Sequence, residues 1–280
     1  MKKVDIFGLD DIILSALKED VGTGDITTNC CIPCDNRSEA YFLSKEDGVI
    51  CGIDIAARVF ALVDEKIVFS PLKKDGDKVN KGDIIATLSG PSRAILTGER
   101  VALNFMQRLS GTATATAKAV ESVAGTKAKI ADTRKSTPGL RVLEKYAVRV
   151  GGGHNPRFNL ADGVLIKDNH IAAAGGIAAA VKAARDSVPH VMKIEVETET
   201  LDEVRQAIEA GSDIIMLDNM SIEMMAEAVK LINGRALTEA SGNMGEKNLA
   251  EVAATGVDII SIGALTHSVK SLDISLKFKK

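Results

Sequence analysis

The feature that most restricts the fold is a repeat in the second half of the chain. Apolar, β-rich runs recur at 128–131, 163–166, 191–196, 214–217, 236–237 and 259–262. Helical patterns separate them at a spacing of about twenty to thirty-five residues, which is what a βα unit needs. Strands buried on both faces read as near-continuous apolar runs, so these predict a parallel sheet covered by alanine-rich helices such as 177–185 and 201–210. No G-x-G-x-x-G follows the first run, which favours a barrel over a dinucleotide-binding sheet. Six strands are fewer than the usual eight, so the barrel is expected to be incomplete.

The residues after each run carry the chemistry. In order they are D-T-R-K (132–135), K-D-N-H (167–170), E-V-E (195–197), L-D-N (217–219), E-A-S-G-N (239–243) and I-G-A-L-T-H-S (262–268). Strand C-termini of a βα barrel converge on one face, where active sites lie, so a functional site is expected there. Arg134, Arg157 and Lys167 suit carboxylates, the arginines through a bidentate fork. Glu195 and Asp218 are hard oxygen donors for Mg²⁺ or ribose hydroxyls, or else partners for neighbouring lysines. Ser241, Gly242 and Asn243, with Gly263 and Ala264, read as backbone N–H donors at the starts of the last two helices, where the dipole favours a phosphate. The stretch 132–170 holds seven Lys or Arg against four Asp or Glu in a chain of net charge −3. Such a local excess of cations suits a small polyanionic ligand.

Within that stretch a helix is expected over 138–150, with Pro138 in its first turn. Leu140, Leu143, Ala147 and Val150 share one side, while Arg141, Lys145 and Arg149 share another, the last two in solvent. Gly151–Gly153 either ends this helix or lets backbone approach a ligand. The first half has a different texture. A helix at 9–19 leads into a glycine-rich turn at 19–27, and short strands follow within 40–44, 48–52, 66–70 and 75–90, interrupted by one helix at 55–63. This predicts a small α+β layer domain. A long helix at 92–124 has Gly98 and Gly111 as candidate breaks, and its polar side (Glu99, Arg100, Asn104, Gln107, Arg108) reads as solvated or interface-facing. Cys30, Cys31 and Cys34 form C-C-x-x-C, but with no histidine nearby a zinc or redox site is disfavoured.

The 35 basic and 38 acidic residues argue against a general nucleic-acid or membrane surface. The N-terminus lacks the apolar core of a secretion signal and no run approaches a membrane span, so a soluble, cytoplasmic protein is expected.

Several long motifs occur together and in order: E-R-V-A-L-N-x-x-Q-R-L-S-G-x-A-T, D-T-R-K-x-T-P-G-L-R, Y-A-V-R-x-G-G-G-x-N, L-I-K-D-N-H, L-D-N and G-A-L-T-H-S-x-K-S-L-D-I. Through them the chain resembles the quinolinate phosphoribosyltransferase family from Glu19 to the segment beginning at Ser271. The resemblance implies an N-terminal α/β sandwich domain over 1–110, with the tail 268–280 as a candidate addition, and an incomplete, about six-stranded α/β barrel over 111–267. It implies a homodimer, or a higher oligomer, in which one subunit's N-terminal domain covers the other's barrel mouth. The implied reaction joins quinolinate to phosphoribosyl pyrophosphate, with Mg²⁺, releasing pyrophosphate and CO₂ and giving nicotinate mononucleotide. By resemblance Thr133, Arg134, Lys135, Arg157 and Lys167 surround the quinolinate carboxylates, with Arg100 contributed from the partner subunit. Glu195 and Asp218 take the ribose and the Mg²⁺-pyrophosphate, the Ser241–Asn243 and Gly263–Ala264 loops take the 5′-phosphate, and Lys135, Lys167, Glu195 and Asp218 form the catalytic set. One departure stands out: many members read G-G-G-x-N-H-R, whereas this chain has Pro156 in place of that histidine and a histidine at His154. Alternatives are a related phosphoribosyltransferase acting on another acid, a non-catalytic anion-binding protein, and a Schiff-base aldolase using Lys135 or Lys167.

Overall fold

The computed structural model describes residues 6–279. Residues 1–5, on which the reading of the N-terminus partly rests, and Lys280, the end of the expected tail, lie outside the described residues. In chain order the elements begin with α1 (Leu9–Val21), α2 (Ile26–Cys31), β1 (Arg37–Ser44), β2 (Gly48–Val49), α3 (Ile53–Val63), β3 (Val68–Pro71), β4 (Lys78–Val79), β5 (Ile84–Pro91) and α4 (Ser92–Ser122). They continue with β6 (Lys129–Ala131), α5 (Arg141–Val150), β7 (Val164–Ile166), α6 (Asp168–Ala174), α7 (Ile177–Ser187), β8 (Ile194–Thr198) and α8 (Leu201–Glu209). The last are β9 (Ile214–Asp218), α9 (Ile222–Ile232), β10 (Leu237–Ser241), α10 (Leu249–Ala254), β11 (Ile259–Ser261), α11 (Ala264–His267) and β12 (Ile274–Phe278). The chain forms two compact units, one made of the residues up to Ala117 with Thr137–Gly151 and the tail from Val269, the other of Lys118–Ser136 and Gly152–Ser268.

The first unit is built on an antiparallel sheet in the order β12-β1-β5-β3. Alternation along β1 turns Ala40, Phe42 and Ser44 inward. Phe42 meets Phe60 of α3 and Phe69 of β3 at ring-centroid distances of 6.1 and 6.0 Å. Helix α5 adds Leu143 and Ala147 to this core. Asp75 ties the unit together: its carboxylate accepts from Gly52 N and Ile53 N at the start of α3, satisfying helix donors that have no intrahelical partner, and from Tyr146 Oη of α5 at 2.8 Å.

Four expectations change here. The 19–27 turn gives way at Ile26 to α2, which Asp25 caps by accepting from Thr28 N. Helix α4 runs unbroken through Gly98 and Gly111, because both sit at close contacts: a Cβ would come 3.0 Å from the Phe60 ring at Gly98 and 2.3 Å from Lys270 O at Gly111. Its polar side divides between the two expected readings: Gln107 Nε2 donates to Ile274 O and Arg108 pairs with Glu144, while Arg100 and Asn104 are exposed. Helix α5 starts at Arg141, after Pro138, because buried Glu144 accepts from Thr137 N and Oγ1 and holds 137–140 as a turn. On α5 Arg149 is exposed as expected, but Lys145 is fully buried, since tertiary packing covers its face.

The second unit is an all-parallel six-stranded sheet, in the order β6-β11-β10-β9-β8-β7, that does not close on itself. This is the incomplete six-stranded barrel expected from the repeat. Side-chain caps start three of its helices: Thr200 with Glu203 at α8, Ser221 at α9 and Asn248 at α10. Strand bounds shift at two places. β8 begins at Ile194 rather than at 191 and runs to Thr198, so Glu195 lies within it and not beyond its end. β10 extends past 237 to Ser241, because Asp258 accepts from Thr238 N and Oγ1 and lets a polar residue be buried there. Ser241–Asn243 therefore ends a strand and is not a helix start; α10 begins only at Leu249. Gly263–Ala264 does open a helix, the short α11.

Candidate active site

The first cationic segment is fixed through β6. Asp132 N donates to His154 O and His154 N to Ile130 O, at 3.1 and 2.9 Å, so 152–157 lies alongside the end of β6 like an added strand. Asn155 Nδ2 donates to the buried Asp132 carboxylate at 2.7 Å. This backbone pairing is what His154 supplies; its side chain is exposed. Pro156, which lacks an N–H, leaves the pairing intact because the bonds are made at 132 and 154.

Arg157 is thereby turned toward the strands. Its Nη1 donates to Gly163 O at 3.0 Å, and Glu195, Arg134, Glu239 and Asp162 all act on its charge. Burial, against the pull of Glu195 and with the like charge of Arg134, holds its guanidinium below the usual arginine value. Arg134 is half-buried, and its Nε is buried without a hydrogen-bond partner. Two guanidinium groups thus share a region where one keeps an unused donor.

The backbone of Lys135 is held on both sides, its N donating to Thr133 Oγ1 and its O accepting from Thr266 Oγ1 at 2.6 Å. Its side chain crosses Gly263, where a Cβ would come 3.1 Å from Lys135 Cδ. Lys167 caps α6, its N donating to His170 Nδ1 and its Nζ pairing with Glu197 Oε2 at 2.7 Å. The expected alternative of ion pairs for the acidic residues is therefore realised at Glu197 rather than at Glu195.

Asp218 ends β9 beside Ser241 at the end of β10. Its carboxylate accepts from Asn219 Nδ2, and Asn219 N donates to Ser241 O. Asn219, Gly242 and Asn243 have φ of 54°, 88° and 53°, a run of left-handed residues that turns the two loops tightly. A Cβ at Gly242 would lie 2.2 Å from Asn219 Oδ1, so only glycine fits there.

Between these groups lies a buried carboxyl pair. Glu195 of β8 and Glu239 of β10 are 8% and 4% exposed and act on each other's ionisation, and Ser261 Oγ of β11 donates to Glu239 Oε1 at 2.5 Å. Burial first, and then the charge of Glu239, push the Glu195 carboxyl up to about 8, against the opposing pull of Arg157 and Lys167. Burial also raises Glu239, while Ser261 and Glu195 favour its charged form.

The second unit thus carries Thr133, Arg134, Lys135, Arg157, Lys167, Glu195, Asp218, Ser241, Gly242, Asn243, Gly263 and Ala264, in or just after its strands. Arg100 belongs to the first unit, exposed on α4. Sequence reasoning gave no role to Glu239 or Ser261. The available signal was an acidic residue two positions before Ser241, which the period-two alternation of a strand places on the same face. Cys30, Cys31 and Cys34 are exposed, and among the described residues no group of three or more His, Cys, Asp or Glu is arranged to hold a metal.

Comparison with known proteins agrees across both units. Residues 25–110 match the family described as quinolinate phosphoribosyl transferase, N-terminal domain, and residues 112–277 match its C-terminal domain. A Bacillus subtilis (strain 168) protein named probable nicotinate-nucleotide pyrophosphorylase (carboxylating) is 51% identical, over 92% of this chain and 89% of its own. The chloroplastic nicotinate-nucleotide pyrophosphorylase (carboxylating) of Arabidopsis thaliana is 47% identical, over 97% of this chain and 83% of its own. The solved nicotinate-nucleotide pyrophosphorylase from Francisella tularensis superposes with a TM-score of 0.93 at 42% identity, covering 100% of both chains.

Proposed function

The chain belongs to the quinolinate phosphoribosyl transferase family, and from that premise we propose that the cationic cluster and carboxyl pair of its six-stranded unit form the site of the family's reaction. That reaction transfers a phosphoribosyl group from phosphoribosyl pyrophosphate to quinolinate with loss of CO₂, giving nicotinate mononucleotide and pyrophosphate for NAD biosynthesis. The observation that carries the residue assignment is the Arg134–Arg157 neighbourhood, partly buried, with a buried Arg134 N–H left unused. A dicarboxylate would satisfy that donor and neutralise both guanidinium groups, and Lys167 and Thr133 complete its surroundings.

Quinolinate is therefore assigned to Arg134, Arg157 and Lys167. Lys135, expected in the same group, crosses Gly263, so its charge is assigned to the 5′-phosphate together with the Gly263–Ala264 and Ser241–Asn243 loops. Glu195 is assigned to the ribose. Departure of pyrophosphate leaves positive charge at the ribosyl carbon, while the ring nitrogen is held in line by the carboxylate clamps. Glu195, pushed up to about 8, meets the ribose near pH 7 as a neutral carboxyl that orients it rather than as a charge. The alkylated nitrogen then stabilises the electron pair left on the adjacent carbon as CO₂ departs, and a proton from water taken up at that carbon gives nicotinate mononucleotide.

Mg²⁺ binds through one or two carboxylates plus substrate phosphates, and Asp218, half-buried with a single side-chain hydrogen bond, fits as such a carboxylate. Glu195, mostly buried and neutral near pH 7, is less suited and is left to the ribose. When bound, the ion neutralises charge on the leaving pyrophosphate. A homodimer that brings Arg100 of one subunit to the site of the other is proposed on the family resemblance, as is a cytoplasmic location. Among the described residues no helix is long and apolar enough to cross a membrane.

The test is release of pyrophosphate and CO₂ with quinolinate against nicotinate as acceptor. Quinolinate is expected to be strongly preferred, and Arg157→Ala to lower kcat/KM for quinolinate by about a hundredfold or more. Preference for nicotinate would overturn the reaction assignment, and near-normal kcat/KM in Arg157→Ala would overturn the residue assignment.

A further inference from the structure

Strands β6 and β11 pair as far as Ala131 and Ser261, and Ile262 N donates to Ala131 O at 2.9 Å just past the end of β11. Beyond that bond the two segments part. They meet again where Thr266 Oγ1 of α11 donates to Lys135 O at 2.6 Å. The two bonds close a ring of backbone, 131–135 on one side and 262–266 on the other. Arg134, Lys135, Gly263 and Ala264 all stand on it.

Thr266 makes this bond in preference to a local one. A helical threonine hydroxyl commonly bonds back to a carbonyl three or four residues earlier. Gly263 O lies 3.2 Å from Thr266 Oγ1, yet the shorter approach is to Lys135 O, 131 positions away in the chain, and one hydroxyl carries one proton. Thr266 is fully buried, so its hydroxyl is out of reach of a substrate, and its removal would leave Lys135 O without the donor that holds it.

The residue so held carries an uncompensated charge. Lys135 is exposed and, among the described residues, pairs with no carboxylate. The peptide group before it is tied within its own segment, Lys135 N donating to Thr133 Oγ1 at 3.1 Å and Ser136 N to Arg134 O at 3.0 Å. Thr266 ties the carbonyl after it across to α11. From that base the side chain crosses Gly263, where a Cβ would come 3.1 Å from Lys135 Cδ. A lysine stem is flexible, so the place of its ammonium depends on how firmly its base is fixed.

We propose that Thr266 is a positioning residue: its hydroxyl latches the Lys135 backbone to α11 and so aims the Lys135 ammonium across Gly263 at the 5′-phosphate of phosphoribosyl pyrophosphate. The inference rests on the assignment of Lys135 to that phosphate, and it adds a residue that touches neither substrate. Its effect falls on one substrate more than the other. The Arg134 carbonyl is held by Ser136 and not by Thr266, so the quinolinate side feels loss of the latch least.

Steady-state kinetics on Thr266→Val, Thr266→Ser, Lys135→Ala and the double variant Lys135→Ala/Thr266→Val test it, with melting temperatures measured alongside. Thr266→Val keeps the shape and removes the donor. It is expected to raise KM for phosphoribosyl pyrophosphate about tenfold, the scale of a misplaced contact, while KM for quinolinate stays within about threefold of the parent. Thr266→Ser keeps the hydroxyl and is expected to stay within about threefold for both substrates. In the Lys135→Ala background the Thr266→Val change is expected to add less than about threefold. Parent-like KM for phosphoribosyl pyrophosphate in Lys135→Ala would remove the phosphate assignment itself, and the proposal with it. A large rise in Lys135→Ala with parent-like KM in Thr266→Val overturns the positioning role alone. Equal effects in Thr266→Val and Thr266→Ser, equal rises for both substrates, or additive effects in the double variant also overturn it. If Thr266→Val does not fold, Thr266→Ala carries the test, since it leaves the same carbonyl without its donor. There a rise of about tenfold for phosphoribosyl pyrophosphate alone supports the latch, and parent-like KM overturns it.

Discussion

The buried carboxyl pair makes stability depend on pH in a way that a single substitution should abolish. Glu195 has a folded-state value near 8 against 4.5 for a free glutamate, chiefly because burial disfavours its charge. A raised carboxyl favours the folded state while both states hold the proton, below about pH 4.5. That contribution fades as the unfolded chain alone loses its proton, and the decline ends once pH passes the folded value. Each pH unit inside the window corresponds to about 1.4 kcal/mol, so the ligand-free protein loses about 2–3 kcal/mol from this source between pH 5.5 and 7.5. Glu195→Gln keeps the shape and removes the proton equilibrium. The assay is thermal unfolding of parent and variant, ligand-free, at both pH values and fixed ionic strength. Between pH 5.5 and pH 7.5 the melting advantage of the variant over the parent should grow by about 3–6 °C. Melting curves that shift in parallel between the two pH values would refute the reasoning, since they would mean that Glu195 titrates alike in folded and unfolded chains.

Two further predictions concern the first unit. Gly111→Ala would drive a Cβ to 2.3 Å from Lys270 O, and because that neighbour is backbone the helix or the tail must move. A loss of about 2–4 kcal/mol by denaturant unfolding is expected, and a value below 0.5 would show that the contact relaxes freely. Glu144→Ala strands the donors of Arg108 and Thr137 that meet on a fully buried carboxylate. Removing one partner of such a group is expected to cost about 3–5 kcal/mol, with a stable variant counting against the buried network.

Much of the second unit was readable because its strands are buried on both faces and its helices begin with ordinary caps, which are local properties. The runs at 128–131, 163–166, 214–217 and 259–262 became β6, β7, β9 and β11 with end shifts of a residue or so. Lys135, Lys167, Asp218 and Gly263 were noticed for the same reason: polar residues that interrupt an apolar run stand out. In the first unit the phase of α1, α3 and α4 was visible in their apolar spacing. Lys145 was not placed correctly, because Arg141, Lys145 and Arg149 form a regular cationic stripe that reads as solvated until tertiary contacts cover its middle residue. Gly98 and Gly111 looked like breaks for a similar reason, since a lone glycine does not reveal whether it ends a helix or admits a neighbour.

Glu239 shows where local reading stops. Thr238 and Glu239 cut the apolar run after Leu237, so the strand seemed to end and the acid seemed to belong to a loop. Their burial is possible only because Asp258 and Ser261, about twenty residues on, supply the missing hydrogen bonds across β11. No periodicity over a few residues can show a cost that is offset so far along the chain. A polar pair that shortens one strand of an otherwise regular βα repeat is therefore evidence of non-local partners. Here Asp258 is such a partner from just before β11, where it also pairs with Lys127, and Ser261 from the last residue of β11. Glu239 breaks the local pattern of β10 because its stability is supplied by the strand beside it, through Ser261, and not by its own.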